Sequence, residues 1–395
     1  MFCHLRSLYR FFASLFFLGI FCLIFPGFCL QVHAGFKAYE WGAGTTSNSA
    51  SVNDFGQAII PANLTNAVQL AVGWRHSVAL NADGTLEGWG DDSLGQITFN
   101  PGSHCIAIAC GDFFTLALET NGTVEAVGDD FYGQTDVPSG LSNVVAVACG
   151  FYHALALKSD GTVVAWGANS SDANLGQTSV PVGLSNVVAI AAGGYNSLAM
   201  KADGTIIGWG DNTYGETNIP PGLTNVVRIA AGGWHNLVLK SDGTLVAWGL
   251  NNYGQTNIPP WVTNVEAIAS GQLHNLAVLK NGTVAAWGLD TEGDTNVPVG
   301  LTNAVQVAAG DVDSLALAAP QPVKMQTTLI DAAFGTNQFT FSFPTRNGRV
   351  YQPQFKNSLS DPAWQSLPLV AGTGKILVFT DPTDTPMRYY RVRQW

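Results

Sequence analysis

A short signature, Asp or Asn followed by Gly-Thr, returns along this chain with its glycine at positions 84, 122, 161, 204, 243 and 282. The spacings are 38, 39, 43, 39 and 39 residues, the long one arising from about four extra residues around 170–173. A fixed period of this size excludes a single conventional core, because each unit buries its apolar faces only against its neighbours. One unit, beginning at Leu141, reads LSNVVAVACGFYHALALKSDGTVVAWG, and a loop with Leu-Gly-Gln-Thr and Val-Pro follows. Residues 144–149 are apolar on both faces, as a strand buried on both sides requires. Residues 153–158 alternate Ala and Leu, and residues 162–166 are β-branched and aromatic, so both read as strands. Asp160-Gly161 between them reads as a two-residue hairpin turn. No stretch sustains a helical period, and the architecture is all-β.

The ends of the array predict its shape. Residues 37–42 (KAYEWG) match a third strand, and residues 55–57 match the return loop. Residues 304–317 (AVQVAAGDVDSLAL) match the first two strands and stop at Ala319-Pro320 without a hairpin turn. The N-terminus lacks what the C-terminus supplies, so joining them makes one composite unit and removes two open edges. Residues 35–320 read as a seven-bladed β-propeller of about three strands per blade, closed by shared N- and C-terminal strands.

The Ala-Gly-x-x-His-x-Leu-Ala-Leu, Asp-Gly-Thr-Val-x-Ala-Trp-Gly and Gly-Gln-Thr segments resemble the regulator of chromosome condensation repeat. The period near 39 is similar to the shorter bacterial form of that family, the type found in β-lactamase inhibitor protein II. This resemblance implies a propeller that binds another protein through loops on one face. Repeats of one fold serve unrelated partners, so it implies fold more strongly than function.

Before the propeller, residues 1–10 carry Arg6 and Arg10 and no acid, and residues 11–25 are apolar apart from Ser14. Pro26-Gly27 breaks the run, and Val32-His33-Ala34 offers small residues where a signal peptidase reads. Residues 1–34 are therefore expected to be a secretory signal, leaving a secreted or extracytoplasmic protein with no membrane span after cleavage. Only Cys105, Cys110 and Cys149 remain beyond it, too few for a disulfide scaffold. A pairing of Cys110 with Cys149 and simple small-residue packing both fit their shared repeat position.

Charge narrows the function. Charged residues make up 11% of the chain and the net charge is −11; the propeller has seven Lys/Arg against 24 Asp/Glu, a net of −17. A nucleic-acid binder needs a dense basic face, which this chain does not supply. Nucleosome binding conflicts with the acidic propeller, and guanine-nucleotide exchange, known from the wider family, conflicts with the signal. Residues 321–395 reverse the balance, with eight Lys/Arg and four Asp, a net of +4. Their alternating runs at 339–343, 350–355, 376–380 and 389–393 predict a small β-sandwich that looks fibronectin-type-III-like. Its opposite charge points to docking on the propeller, to an anionic surface, or to a solvated spacer.

Several residues invite chemistry and have a plainer reading. His76, His153, His235 and His274 share a repeat position with Phe114, Asn196 and Asp313. Positions repeated once per blade lie around a circle and do not converge on a metal, so each histidine is expected to bond within its own blade. Acid pairs such as Asp91-Asp92 and Asp129-Asp130 suit capped turns rather than calcium. The tryptophans of the Trp-Gly pairs (Trp41, Trp89, Trp166, Trp209, Trp248, Trp287) read as core. No Gly-x-Ser-x-Gly, His-Glu-x-x-His or phosphate loop occurs, so no enzyme activity, metal or cofactor is expected.

The loop between the first two strands follows no packing rule. It holds Trp74-Arg75, Asp112-Phe113, Phe151-Tyr152, Gly194-Tyr195, Gly233-Trp234, Gln272-Leu273 and Asp311-Val312, all on one rim. Exposed aromatics rimmed by acids mark interaction sites. The expected partner-binding set is Trp74, Arg75, Asp112, Phe113, Phe151, Tyr152, Tyr195, Trp234, Leu273 and Asp311. The insertion at 170–173 and the stretch 44–54 are expected to flank that rim. The sequence thus predicts a secreted, non-enzymatic protein that binds an extracytoplasmic protein, with glycan recognition or a structural surface role as the alternative.

Overall fold

The computed structural model describes residues 36–43, 55–170, 172–320, 330–335, 338–357, 361, 363–381 and 388–395. The expected signal segment and the stretch 44–54 lie outside these. The described residues contain strands and turns and no helix.

From residue 37 to residue 318 the strands form seven three-stranded antiparallel sheets. The inner strands are Ala67–Val72, Cys105–Cys110, Val144–Cys149, Val187–Ala192, Val226–Ala231, Val265–Ser270 and Ala304–Ala309. Each packs beside the next, and the last packs against the first. The middle strands, such as His153–Lys158, are buried on both faces between neighbouring sheets, which is why Leu and Ala alternate without a polar side. Leu116, Leu155, Leu198, Leu237 and Leu276 are wholly inaccessible there. Burial of this kind contributes about 2–3 kcal/mol per leucine.

The outer strand turns back through the Asp/Asn-Gly-Thr signature, and here the two-residue reading is corrected. The Gly161 N–H donates to the Lys158 carbonyl and the Lys158 N–H to the Thr162 carbonyl, with Gly161 alone in the turn at positive φ, 79°. This is a three-residue hairpin with the glycine in the left-handed position. Asp160 Oδ1 accepts the Thr162 N–H and hydroxyl at 3.0 and 2.6 Å, which accounts for all three signature residues. Thr162 therefore belongs to the turn, and the strand runs Val163–Gly167.

One sheet is composite. Lys37–Gly42 pairs antiparallel with Asp313–Ala318, from Lys37 opposite Ala318 to Gly42 opposite Asp313. Trp89, Trp166, Trp209, Trp248 and Trp287 each donate their indole N–H to a return-loop carbonyl 32 residues earlier. Trp41 does the same to the Asp294 carbonyl, 253 residues away, at 2.8 Å.

Beyond residue 330 lie two small antiparallel sheets. One orders Ile330–Gly335, Gln338–Pro344 and Ile376–Asp381; the other centres on Val350–Lys356, flanked by Tyr389–Gln394 and two short strands. Phe341 and Phe343 from the first sheet and Tyr351 from the second share a core. This region meets the ring where the inner strands begin. Val350, Leu369 and Trp395 join the cluster that holds Val226, Val227 and Met200, and the Leu369 N–H donates to the Ala202 carbonyl at 3.0 Å. The ion pairs Lys158–Asp160, Lys201–Asp203 and Lys240–Asp242 lie within hairpin turns of the ring.

Candidate functional site

The other end of the ring, where the inner strands finish, is organised by glycine. An added Cβ on Gly73, Gly111, Gly150, Gly193, Gly232 or Gly271 would meet the carbonyl oxygen of the next glycine in that series, or of Gly310, at 2.2–2.6 Å. One on Gly310 would meet Gly73 at 2.4 Å. Only hydrogen fits, and the ring of contacts returns to its start. The space at this mouth is about 60 Å³, enough for a water or two and not for a substrate.

Just outside the glycines stands the histidine slot, where the expected bonding is corrected. His76 Nε2 lies 2.9 Å from Thr115 Oγ1, His153 Nε2 3.0 Å from Ser197 Oγ, His235 Nε2 2.9 Å from Asn275 Oδ1, and His274 Nε2 2.9 Å from Ser314 Oγ. Each partner belongs to a neighbouring sheet, not to the histidine's own. Asn196 makes the equivalent bond to Asn236. The partners donate onward to return-loop carbonyls, as Ser197 does to Gln177 and Ser314 to Asp294. The slot is a chain of inter-sheet staples.

Burial sets the charge of these groups. Desolvation lowers the histidines to about 4, 3, 4 and 3 in chain order, so they are neutral. It raises Glu40 to about 8, against hydrogen bonds from Ser77 and Trp89, and Asp311 to about 7. Asp112 and Asp313 are held well above the carboxylate range, by burial first and then by neighbouring acids. The pH dependence of stability follows. Acids raised in the fold bind protons that the unfolded chain has released, so stability rises as pH falls from about 9 to 6.5. Below 6.5 the unfolded chain protonates its histidines while the fold cannot, which offsets that gain. Below about 4.5 the acid advantage is gone and stability falls. Melting temperatures across pH 4 to 9 should trace this plateau, and Glu40→Gln should flatten its alkaline side. A melt rising steadily towards pH 9 would refute it.

The ten residues predicted for partner binding lie at this mouth, yet none is exposed. Phe151 sits over the glycines of two neighbouring loops, its ring 2.6 Å from a Cβ position on Gly194 and 3.2 Å from one on Gly233. Its centroid is 5.6 Å from both Tyr195 and Trp234, and Tyr152 packs on Tyr132 at 4.7 Å. Across the mouth, the Arg75 guanidinium stacks on Trp74 at 4.1 Å and on Phe55 at 4.6 Å, and Trp74 meets Phe113 at 5.0 Å. Asp112 is buried, Leu273 is half-buried, and Asp311 Oδ2 accepts the Gln272 amide at 2.9 Å. These side chains form a floor, with Arg75 held in stacking rather than free for a partner.

The exposed apolar groups stand around that floor, at positions not anticipated. Leu94, Leu175, Tyr214 and Tyr253 occupy one repeat position, immediately before the glycine of the Gly-Gln segment, and each is about half exposed; Phe131, next to Tyr132, is 79% exposed. Each of the four has its backbone N–H fixed by a buried side chain two residues on: Gln96, Gln177, Glu216 and Gln255 accept at 2.7–3.0 Å. That recurrence before an invariably buried Gln or Glu is the signal that marks them. The acid pairs cap turns here: Asp92 and Asp130 accept the N–H of Ile97 and Thr135, both at 3.0 Å.

The thiols are free. Cys105, Cys110 and Cys149 form no disulfide, and burial raises Cys105 to about 11 and Cys110 to about 12.

Residues 67–96, 105–134, 144–172, 187–216 and 226–255 match the Regulator of chromosome condensation (RCC1) repeat. No curated protein sequence matches the chain. Among solved structures, it is similar to Prp20p of Saccharomyces cerevisiae, with 19% identity, a TM-score of 0.60, and coverage of 72% of this chain and 91% of that one. Human WBSCR16 gives 21% identity and a TM-score of 0.57 over 72% of this chain and 99% of its own. The ectodomain of the Physcomitrella patens receptor kinase CR4 gives 21% and 0.54 over 69% and 76%. At these identities the likeness establishes the fold alone, a β-propeller.

Proposed function

We propose that this array of RCC1 repeats is a seven-bladed propeller that binds a folded protein on the face carrying Leu94, Phe131, Leu175, Tyr214 and Tyr253. The observation that carries this reading is that five exposed apolar side chains share one face and four of them hang on backbone pinned by a buried amide or carboxyl. Presentation fixed in advance reduces the ordering penalty of association, and aromatic anchors on a rigid frame are what interface centres use. The half-buried floor of Phe151, Tyr152, Tyr195 and Trp234 supplies contact area beneath, with Asp112, Asp311 and Arg75 at its edge. Binding rather than catalysis suits a mouth of about 60 Å³. Prp20p has binding properties toward Gsp1p and histones, which supports protein recognition by such propellers in general. For this chain, the signal read in residues 1–34 favours an extracytoplasmic partner, inhibition of an enzyme in the manner of β-lactamase inhibitor protein II being one form. Residues 321–395 are read as a β-sandwich module of fibronectin-type-III-like kind.

The test substitutes Phe131, Tyr214 and Tyr253 by Ser and, as a control at the opposite end, the exposed Val182, Trp261 and Val299 by Ser. All six side chains are exposed, so both triple variants should melt near the wild type. A partner captured from extracytoplasmic extract by wild type and control, and weakened by about 100-fold or more in the first variant, supports the face. Equal capture by all three overturns it.

A further inference from the structure

The opposite end of the channel holds a chamber of about 440 Å³, lined by the first halves of the inner strands and by residues 345–349 of the C-terminal region. Ligand sites run from roughly 300 to 1,000 Å³. The chamber is unusual in its charge. Of the seven basic residues in the ring, Lys158, Lys201 and Lys240 pair with acids in their own turns, Lys37 lies on Tyr39, Arg75 is stacked on aromatics, and Lys280 is exposed in a turn. Arg228 has no such arrangement. It stands at the third position of its inner strand, where the other sheets have Ala or Gln. The glutamines at that position, Gln69 and Gln306, are used up bridging to the next strand, to Ile108 and Leu70. The Arg228 Nε is sealed from solvent and has no hydrogen-bond partner. Arg349 lines the same chamber; burial and this second cation disfavour the Arg228 charge, and Glu266 offsets them only in part.

The loop that brings Arg349 there is built to stay. Thr345 Oγ1 donates to the Lys375 carbonyl at 2.7 Å and accepts the Thr373 N–H at 3.1 Å. The Tyr351 hydroxyl accepts the Arg346 N–H at 2.9 Å, and the Gly372 N–H donates to the Arg349 carbonyl at 2.7 Å. Asn347, two residues before Arg349 and part of the same lining, has both amide atoms buried and unpartnered. Guanidinium groups do not deprotonate in proteins, and a like-charged buried pair is unstable unless a counter-charge joins it. Two guanidinium forks and an amide facing one space are a donor set for an oxyanion.

We propose that this chamber binds a small organic anion through a phosphate or carboxylate group held by Arg228, Arg349 and Asn347. The site is independent of the protein-binding face, from which the length of the channel separates it. The volume admits a phosphorylated sugar or a tricarboxylate. The anion neutralises the arginine pair and ties the C-terminal region to the ring.

The test is calorimetric titration of the full chain with inorganic phosphate, glucose 6-phosphate and citrate, against glucose and sodium chloride of equal ionic strength, alongside thermal melts. The expected result is saturable binding of at least one anion and none of glucose, with a rise in melting temperature. Arg228→Met and Arg349→Met should each weaken that binding by about 10- to 100-fold, the worth of a charged hydrogen bond. In buffer free of such anions both variants should melt no lower than wild type, because an uncompensated charge is removed. Arg349→Lys, which keeps the charge but loses the fork, should fall between. Binding of phosphate but not glucose 6-phosphate would assign free phosphate as the ligand class. No binding by wild type, equal binding by the methionine variants, or a lower melt of Arg228→Met without anion would each overturn the proposal.

Discussion

Gly150→Ala is expected to cripple folding. The new methyl would sit 2.2 Å from the Gly193 carbonyl oxygen and 2.2 Å from His153 Cε1, both well inside contact distance. Overpacking a core costs about 1–3 kcal/mol when side chains can shift. Here one obstacle is backbone of the next sheet and the other is a histidine stapled to Ser197, so neither can give way without moving its own neighbour. A loss of about 4 kcal/mol or more follows, with a melt lower by about 8 °C or no soluble protein. Gly183→Ala is the comparison. Its φ is +80° but nothing lies within 4 Å, so only backbone strain of about 1–2 kcal/mol applies. Equal effects at the two positions would show that the glycine ring has slack, and would remove the reason for glycine at all seven places.

Deleting residues 36–43 is expected to have the second large effect. The strand Lys37–Gly42 supplies the outer edge of the composite sheet, and without it Asp313–Ala318 becomes an unpaired edge. The buried Trp41 and its bond to Asp294 go too; losing a buried tryptophan alone costs about 3–5 kcal/mol. An exposed edge strand of alternating apolar residues templates pairing with other chains. Size-exclusion chromatography with light scattering should therefore find larger species than the intact chain forms, together with a broadened, lower melt. A monomer that melts like the intact chain would mean the ring does not depend on its first strand.

Much of the fold was legible because the repeat itself is the physical constraint. The buried middle strands, the Trp-Gly pairs and the composite first sheet all follow from period and pattern. The turn was misjudged because Asp160 caps Thr162, a bond that lengthens the hairpin and that no periodicity reveals. The histidines were assigned to their own sheets because sequence position does not say which neighbour a buried ring faces. The aromatic loops do gather at one mouth, but seven loops converging on a narrow channel cover one another, so Phe151 and Trp234 become floor. Exposure passed instead to Leu94, Tyr214 and Tyr253, which the regular Gly-Gln signal hides among turn residues. Arg228 carries no sequence signal of its own, because one arginine in an apolar strand looks ordinary until its slot is compared across all seven sheets.

The composite sheet also sets a timetable. Residues 37–42 leave the ribosome before any partner strand exists, and Asp313–Ala318, with which they pair, follows some 270 residues later. At about 5–20 residues per second that gap lasts about 14–55 seconds. Through it the earliest strand must remain unattached while six complete sheets assemble and wait, open at both ends. Contacts of such high sequence separation are slow to form. The rate at which the array becomes a ring should thus be governed by its two extremities, and a factor that shields a nascent strand would act on this chain at its very beginning.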